Sequence, residues 1–456
     1  MRKFLIGATN SGCGKTTITA GLLRALSRRG MTVQPFKCGP DYIDTQYHQM
    51  ACGHESVNLD AWFAESAHLK KVFDHYSKDA DVCIVEGVMG LYDGFNRWHG
   101  SSAEIAAMLN LPVILTVNAK SMAYSAAPLL WGYRGFGGEG LCEGLGSRPL
   151  YVVFNHVGSE RHARLLRDAC KDAGVTCLGM IPHIKDMAVP SRHLGLSLEN
   201  RAAMETMIEK AAQAVEQYVD LSIFETADDE ALMAKSDTLM ANNETATVAD
   251  NGGKEATVAW TAESDKPFPF SSIAVARDAA FNFTYRENID ALKRCGRVTF
   301  FSPLSDSHLP QGVDFVYLPG GYPEFFLQQL SANESMRRSV ADYVERGGAC
   351  LAECGGMMYL CRSIIDGEGR PWPMAGVLQQ DATMVGMRLH LGYRSFELKG
   401  RTWRGHEFHY SSIVEPDGSA LLPVRVADAL GNATNTPVFG YKNLLASYVH
   451  LYWGLA

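Results

Sequence analysis

No apolar run in this chain approaches the roughly 20 residues that cross a bilayer. The most apolar stretches, such as Leu111–Val117, stop well short, and Lys120 interrupts the segment after that one, so no membrane partner is expected. Basic blocks are missing too: 42 Lys and Arg stand against 50 Asp and Glu, a formal charge of −8, which argues against a protein that grips nucleic acid by its phosphates. The opening MRKFLIGATNSG offers two basic residues but few apolar ones before polar residues intervene, so no signal peptide is expected. The cysteines, 11 in number and irregularly spaced, suggest reduced thiols in a cytoplasmic protein rather than a disulfide framework. The chain is otherwise ordinary globular material: 456 residues, 46% hydrophobic and 20% charged, enough for two or more domains at roughly 100–200 residues each.

Two segments rich in strand-like apolar runs flank a stretch of different character. Residues 226–269 are acidic, rich in Ala, Thr and Asn and without sustained apolar periodicity, and read as an interdomain linker; a short irregular helix near 230–240 is the competing reading. Before the linker, runs at 3–7, 32–36, 82–86, 113–117, 151–154 and 176–179 predict strands alternating with helices. In the first helix Ile18, Leu22 and Leu26 share one face. The pattern restarts at 272–276, 298–301, 315–318 and 350–352. Alternation of this kind predicts an α/β fold: two doubly wound domains with mostly parallel sheets, over residues 1–225 and 270–456.

In the first half, Gly7-Ala-Thr-Asn-Ser-Gly12-Cys-Gly14-Lys15-Thr16-Thr17 follows a predicted strand and opens a predicted helix. Glycines let backbone N–H groups close on an anion, the helix start favours negative charge, Lys15 neutralises outer phosphates and the Thr16 hydroxyl can hold Mg²⁺. The spacing is a variant, with Thr9 where the strict pattern has Gly. A metal-bound triphosphate also needs acids. Glu86 ends the buried run at 82–86, at the carboxyl edge of the sheet, where open α/β sheets bind ligands. Asp41 and Asp44 follow Lys37-Cys-Gly-Pro and converge on one cation if the segment turns helically; a simple turn or helix start at Pro40-Asp41 explains them equally well.

In the second half, Gly347-Gly-Ala-Cys-Leu-Ala-Glu353-Cys354-Gly355-Gly356 places Cys354 between an apolar strand and a Gly-led helix start. A sharp turn there exposes a nucleophile, and the helix dipole is expected to lower its pKa. The pair Gly320-Gly321, ending another apolar run, supplies N–H groups that with Gly355 form a candidate oxyanion hole of Gly321 and Gly355. For the base, His450 is the candidate, with His406 and His409 as rivals. The His-x-x-His spacing of that rival pair resembles a metal pair, but no further ligand lies near enough to support zinc.

With these residues in place, the chain resembles the cobyrinic acid a,c-diamide synthase family. The shared phrases are long and ordered: ATNSGCGKTT, FKCGPDYIDTQYH, NLDAWF, VEGVMGLYDG, NHVGSERH, VPSRHLGL, LPGGYPE, AECGGMMYL, LGYR, GHEFHYS and ASYVHLYW. The resemblance implies a dethiobiotin-synthetase-like ATPase domain joined to a class I glutamine amidotransferase domain. It puts Gly12, Gly14, Lys15, Thr16 and Thr17 on the nucleotide, with Asn155 near adenine. Asp41, Asp44 and Glu86 fall on positions that serve Mg²⁺ and the reacting carboxylate, with Lys37 assisting; Tyr42 and Asp93 fall on the tetrapyrrole pocket; Cys354 and His450 form the catalytic pair. Class I amidotransferases usually carry Glu two residues after that His, but Tyr452 stands here, so a Cys-His dyad is expected.

The implied small-molecule partners are ATP, glutamine and a corrin or related tetrapyrrole, with Mg²⁺ as cofactor, and a homodimer is compatible with the resemblance. A partitioning-type switch ATPase is a rival reading, but its signature Lys would fall at Asn10 and Cys354 would then be idle. A regulatory protein with a dead glutaminase half conflicts with the intact Cys354, His450 and Gly320-Gly321. Cobyric acid synthase resembles the chain less closely around FKCGPDYIDTQYH and VPSRHLGL. Hydrogenobyrinic acid and nickel-sirohydrochlorin diamide synthases stay open as alternatives.

Overall fold

The computed structural model describes residues 1–136, 149–185, 187, 198–225, 269–414 and 420–454. The linker expected at 226–269 and the VPSRHLGL phrase therefore lie outside the described residues, apart from residue 269.

The first half is a seven-stranded, all-parallel sheet in the order β3-β2-β4-β1-β5-β6-β7. Its strands are β1 (Arg2–Ala8), β2 (Val33–Cys38), β3 (Val57–Leu59), β4 (Val82–Glu86), β5 (Val113–Asn118), β6 (Leu150–Val157) and β7 (Thr176–Pro182). Six of the seven match predicted runs; β3 is too short to read in advance. Helix α1 (Lys15–Arg28) buries Ile18, Leu22 and Leu26 on the sheet side, as the spacing predicts. Its Gly21 permits close approach to the helix Leu198–Tyr218, since a Cβ there would lie 2.6 Å from Ala211 O. Helix α2 (Asp44–Cys52) follows β2. Because β1 lies between β4 and β5 while β2 lies beyond β4, the loops after β1, β2 and β4 meet at the carboxyl edge.

The second half centres on a six-stranded sheet, β18-β19-β11-β10-β8-β9. Strands β8 (Ser272–Ala276), β9 (Arg297–Phe301), β10 (Phe315–Leu318), β11 (Ala349–Glu353) and β19 (Leu444–Ser447) run parallel. Strand β18 (Val438–Tyr441) closes the edge antiparallel to β19. Two smaller sheets go beyond the expected architecture. One is β13-β12-β14-β17, made of β12 (Cys361–Ile365), β13 (Pro371–Pro373), β14 (Leu378–Thr383) and β17 (Ser412–Val414); the other joins β15 (His390–Leu398), β16 (Arg401–His409) and β20 (Val449–Leu451) antiparallel.

The halves share an aromatic seam. Phe63 stacks on Tyr452 at 5.1 Å and 12°, Trp62 on Tyr393 at 4.8 Å and 26°, and Tyr42 on Phe283 at 5.1 Å and 8°. Phe283, Tyr285 and Tyr452 belong to the same buried cluster as Leu5 and Phe36. Polar links frame the seam: Tyr393 donates to Asp60 Oδ2 at 2.7 Å, Tyr76 to Asp290 Oδ2 at 2.8 Å, and Arg286 to Glu55 O at 2.8 Å. Rings of this size supply much of the burial at an interface while keeping a polar edge for partners.

Candidate active site

Between β1 and α1 the chain makes a loop in which Gly12 and Gly14 take φ of 81° and 94°, values that side chains resist. At Gly14 a Cβ would lie 2.3 Å from Asn155 Nδ2. That amide donates to Cys13 O at 3.1 Å, so Asn155, from the end of β6, braces the loop. Gly12, Gly14, Lys15, Thr16, Thr17, Lys37, Asp41, Asp44 and Asn155 all border one cavity of about 620 Å³. Lys15 donates to Met89 O at 3.0 Å across its mouth. Burial and then the nearby Lys37 hold the Lys15 ammonium below its usual pKa, which disposes it toward an incoming anion.

Beneath the loop lies a buried charge cluster. Lys37 Nζ, at the end of β2, donates to Asp44 Oδ2 at 2.7 Å, Glu86 Oε1 at 3.0 Å and Gly87 O at 3.1 Å. Thr16 Oγ1 reaches Glu86 Oε1 at 2.7 Å and Asp44 Oδ2 at 3.3 Å. His48 Nε2 lies 2.7 Å from Glu86 Oε2 and its Nδ1 lies 2.9 Å from Ser56 Oγ. Burial alone would lower the Lys37 pKa, but Asp44 and Glu86 outweigh it and raise it. Burial would likewise raise Glu86, yet Lys37 and His48 hold it below the usual carboxylate range. Asp41 makes the helix start, one of the two readings considered for it. Its Oδ1 accepts the N–H groups of Ile43 and Asp44 at 2.8 and 2.9 Å and starts α2, while its Oδ2 lies 3.9 Å from Lys37 Nζ. His48 is absent from the residues expected from sequence, although its place one helical turn after Asp44 on α2 is a readable signal.

A second cavity, of about 740 Å³, adjoins the first through Met89 and is bordered by Tyr92, Asp93, Trp98 and Phe136. Asp93 accepts the N–H of Gly90 at 2.9 Å. Tyr42 borders neither of these cavities. It is buried in the seam, its ring 5.0 Å from that of His450.

Cys354 sits at the turn between β11 and the short helix Gly355–Leu360, with φ 46° and ψ −109°, a strained conformation for a residue with a Cβ. Its N–H donates to Ser447 O at 2.7 Å and its thiol points at Phe408 O at 3.7 Å. The expectation of a lowered thiol pKa is corrected here: burial, then the nearby Glu324, push it well above the usual value. The helix after it has six residues, too short a dipole to offset the lost hydration. Gly355 and Gly321 are adjacent: a Cβ on Gly355 would lie 3.1 Å from Gly321 N.

His450, on β20, is fully buried, and neither ring nitrogen has a hydrogen-bond partner among the described residues. Burial, then His406 and His409, push its pKa down to about 3, so it stays a neutral base. At the next residue along, Leu451 N donates to Glu353 Oε1 at 3.0 Å. That bond ties the strand carrying His450 to the residue before Cys354. Burial pushes Glu353 up to about 8 despite the Tyr317 hydroxyl at 2.7 Å. A Cβ on Gly320 would lie 2.1 Å from His450 Cε1, so only glycine fits beside the ring. Of the rivals, His406 pairs in register with His450 across the sheet. His409 is held by Glu407 at 2.9 Å and Ser411 O at 2.8 Å. Tyr452, at the position where class I enzymes usually carry Glu, is stacked on Phe63 of the other half.

Comparison with known proteins finds a family match in each half. Residues 4–196 match the family described as CobQ/CobB/MinD/ParA nucleotide binding domain, and residues 272–455 match the CobB/CobQ-like glutamine amidotransferase domain. The hydrogenobyrinate a,c-diamide synthase of Brucella suis is 38% identical, covering 99% of this chain and 98% of its own. That of Rhodobacter capsulatus is 38% identical over 98% of each. The cobyrinate a,c-diamide synthase of a Synechococcus strain is 38% identical over 99% of this chain and 95% of its own. With a phosphate loop in one half, a cysteine elbow in the other and matches that run nearly end to end, the chain belongs to the cobyrinate and hydrogenobyrinate a,c-diamide synthase family.

Proposed function

We propose that this protein amidates the a and c side-chain carboxylates of a corrin-type macrocycle, using ATP and glutamine, as an amide-forming ligase of cobalamin biosynthesis. The observation that carries the reading is that one aromatic seam joins the half with the glycine-loop cavity to the half with the cysteine elbow, one half for each of the two half-reactions such a ligase needs.

In the first half, the loop N–H groups with Lys15 hold the triphosphate. An oxygen of the substrate carboxylate attacks the γ-phosphorus, forming an acyl phosphate and releasing ADP; Lys15 and Lys37 offset the charge on the transferring group. Mg²⁺ would be held largely by phosphate and water oxygens, with the Thr16 hydroxyl and the Glu86 carboxylate, 2.7 Å apart, beside it and with Asp41 and Asp44 as further carboxylates; among the described residues no three acidic, His or Cys side chains group to hold the ion by themselves. Such an ion supplies charge neutralisation at the phosphates. The macrocycle is assigned to the adjoining cavity, which Tyr92, Asp93 and Trp98 line and which meets the phosphate cavity at Met89.

In the second half, the Cys354 sulfur attacks the glutamine amide carbon as its proton passes to neutral His450. The N–H groups of Gly321 and Gly355 take the oxyanion, and the C–N bond breaks as His450 returns the proton to the leaving ammonia. Water then cleaves the thioester to glutamate. Ammonia attacks the acyl phosphate carbon in the other half and expels phosphate. A neutral thiol–imidazole pair suits a buried site, because charge develops only when glutamine excludes water and the donors are in place.

The test is mass spectrometry of hydrogenobyrinic acid, cobyrinic acid and nickel-sirohydrochlorin after incubation with the protein, ATP, Mg²⁺ and glutamine. Conversion of one macrocycle to its diamide supports the reading and names the acceptor. Glutamine hydrolysis with all three macrocycles unchanged refutes the acceptor assignment.

A further inference from the structure

Directly after the phrase VEGVMGLYDG the chain folds back on itself at the edge of the cavity of about 740 Å³. Gly94 N donates to Arg97 O at 2.7 Å, Phe95 N to His99 O at 2.9 Å and His99 N to Asn96 O at 3.1 Å. This tight turn leaves Arg97 with φ 55°, a left-handed value that a residue with a Cβ takes only where its surroundings impose it. The turn is also pinned from outside. Gly100 N donates to Glu104 Oε2 at 2.5 Å, and the Phe95 ring stands edge-on to Tyr393 of the other half, at 5.9 Å and 83°. Arg97 is therefore presented on a braced loop. Around the cavity Met89, Tyr92, Trp98 and Phe136 supply apolar surface, and the charged side chains on its border are Asp93 and Arg97. Asp93 accepts the Gly90 N–H at 2.9 Å. The Arg97 guanidinium is exposed and has no hydrogen bond, ion pair or ring contact among the described residues.

A corrin-type acceptor is an apolar ring system with carboxylates around its rim, and the carboxylate that reacts has to lie toward the phosphate cavity, which meets this one at Met89. The other rim carboxylates then need partners elsewhere. A guanidinium offers a planar fork of donors that matches a carboxylate with two parallel hydrogen bonds. Resting on the function proposed above, we infer that Arg97 is a binding residue for the acceptor: its guanidinium pairs with a rim carboxylate other than the one being amidated, and so fixes how the macrocycle lies among the rings of the cavity. Such a contact is the same before and during phosphoryl transfer. It therefore acts on the acceptor KM and not on kcat.

The experiment compares the full wild-type chain with Arg97→Gly in steady-state amidation of hydrogenobyrinic or cobyrinic acid, with ATP, Mg²⁺ and saturating ammonium so that glutamine hydrolysis drops out of the rate. Glycine takes a left-handed φ without strain, so this variant keeps the turn while removing the guanidinium; Arg97→Gln replaces it should it fold poorly. The acceptor KM is expected to rise about tenfold or more, as for a lost hydrogen bond to a charged group, with kcat kept within about threefold. Raising NaCl from about 50 to about 300 mM should raise the wild-type KM and leave that of Arg97→Gly much less affected. Arg97→Lys, which keeps the charge without the fork, should recover part of the loss. An unchanged acceptor KM in Arg97→Gly overturns the inference and leaves the amidation reading intact, as does a fall in kcat beyond that range, which would give Arg97 a role in the turn or in the chemical step. A wild type that amidates neither acid overturns both.

Discussion

Lys37→Met is the sharpest probe of the buried charge cluster. The ammonium it removes is 1% exposed and donates to Asp44 at 2.7 Å and Glu86 at 3.0 Å, and both carboxylates are buried. Deleting one partner of such a cluster leaves uncompensated buried charge, which costs about 3–5 kcal/mol. The pH signature is as distinctive as the size. In the wild type the Glu86 pKa lies below its unfolded value, so its contribution is present above the unfolded pKa and is lost only as pH falls through the folded one. Without Lys37, only His48 and Lys15 still oppose burial, and the Glu86 pKa is expected to rise above the unfolded value; stability is then lost as pH rises, by about 1.4 kcal/mol per unit of raised pKa. Denaturant unfolding of the full chain at pH 5.5 and pH 8 should therefore show the variant less stable at pH 8, with a much smaller change in the wild type. Loss under about 1 kcal/mol with no pH dependence would refute the assignment of Lys37 as the charge partner.

Cys354→Ala should abolish glutamine-supported amidation and keep ammonia-supported amidation, whereas Lys15→Ala should remove both; product assays with each nitrogen source check this, and loss of both in Cys354→Ala would give that thiol a structural role. Gly320→Ala drives a methyl to within 2.1 Å of His450 Cε1, and an imidazole displaced by about 1 Å should cost about 10²-fold in glutamine hydrolysis, measured as glutamate release. Burial pushes Asp60 up to about 6 in spite of its bond from Tyr393. Because that value lies above the unfolded one, its contribution is full below the unfolded pKa and is lost as pH rises through about 6, by at most about 3 kcal/mol. Asp60→Asn should flatten this part of the stability profile between pH 4 and 7, and an unchanged slope would contradict it.

The phosphate loop is legible in the sequence because all of its chemistry is local: glycines, Lys15 and Thr16 are fixed by neighbours in sequence and by one strand and one helix. Glu86 is legible for a similar reason, as the last residue of an apolar run. The cluster around it is only half visible, since Lys37 and His48 reach Glu86 from different elements and no spacing announces that convergence. In the second half the parallel strands carry plain apolar runs, but β20 pairs with β16 from far along the chain, so the register that sets His450 opposite His406 is hidden. The thiol pKa of Cys354 is misjudged because a sequence shows the helix start and not the depth of burial. Tyr42 lies inside a recognised phrase, yet its ring belongs to the seam, whose other rings sit in segments far along the chain.

The seam also bears on how such an enzyme can be inherited. Phe283, Tyr285 and Tyr452 pack in one core with Phe63 and Tyr42. Cut from its partner half, the glutaminase would present these rings as a contiguous oily patch of the kind that makes free subunits clump. A lineage that split the gene in two would first have to repaint that patch with polar residues, and Tyr452 stands two places from the base itself. The fusion is therefore held together by its own packing, and the two genes it would take to replace it are separated from this one by an unfavourable intermediate.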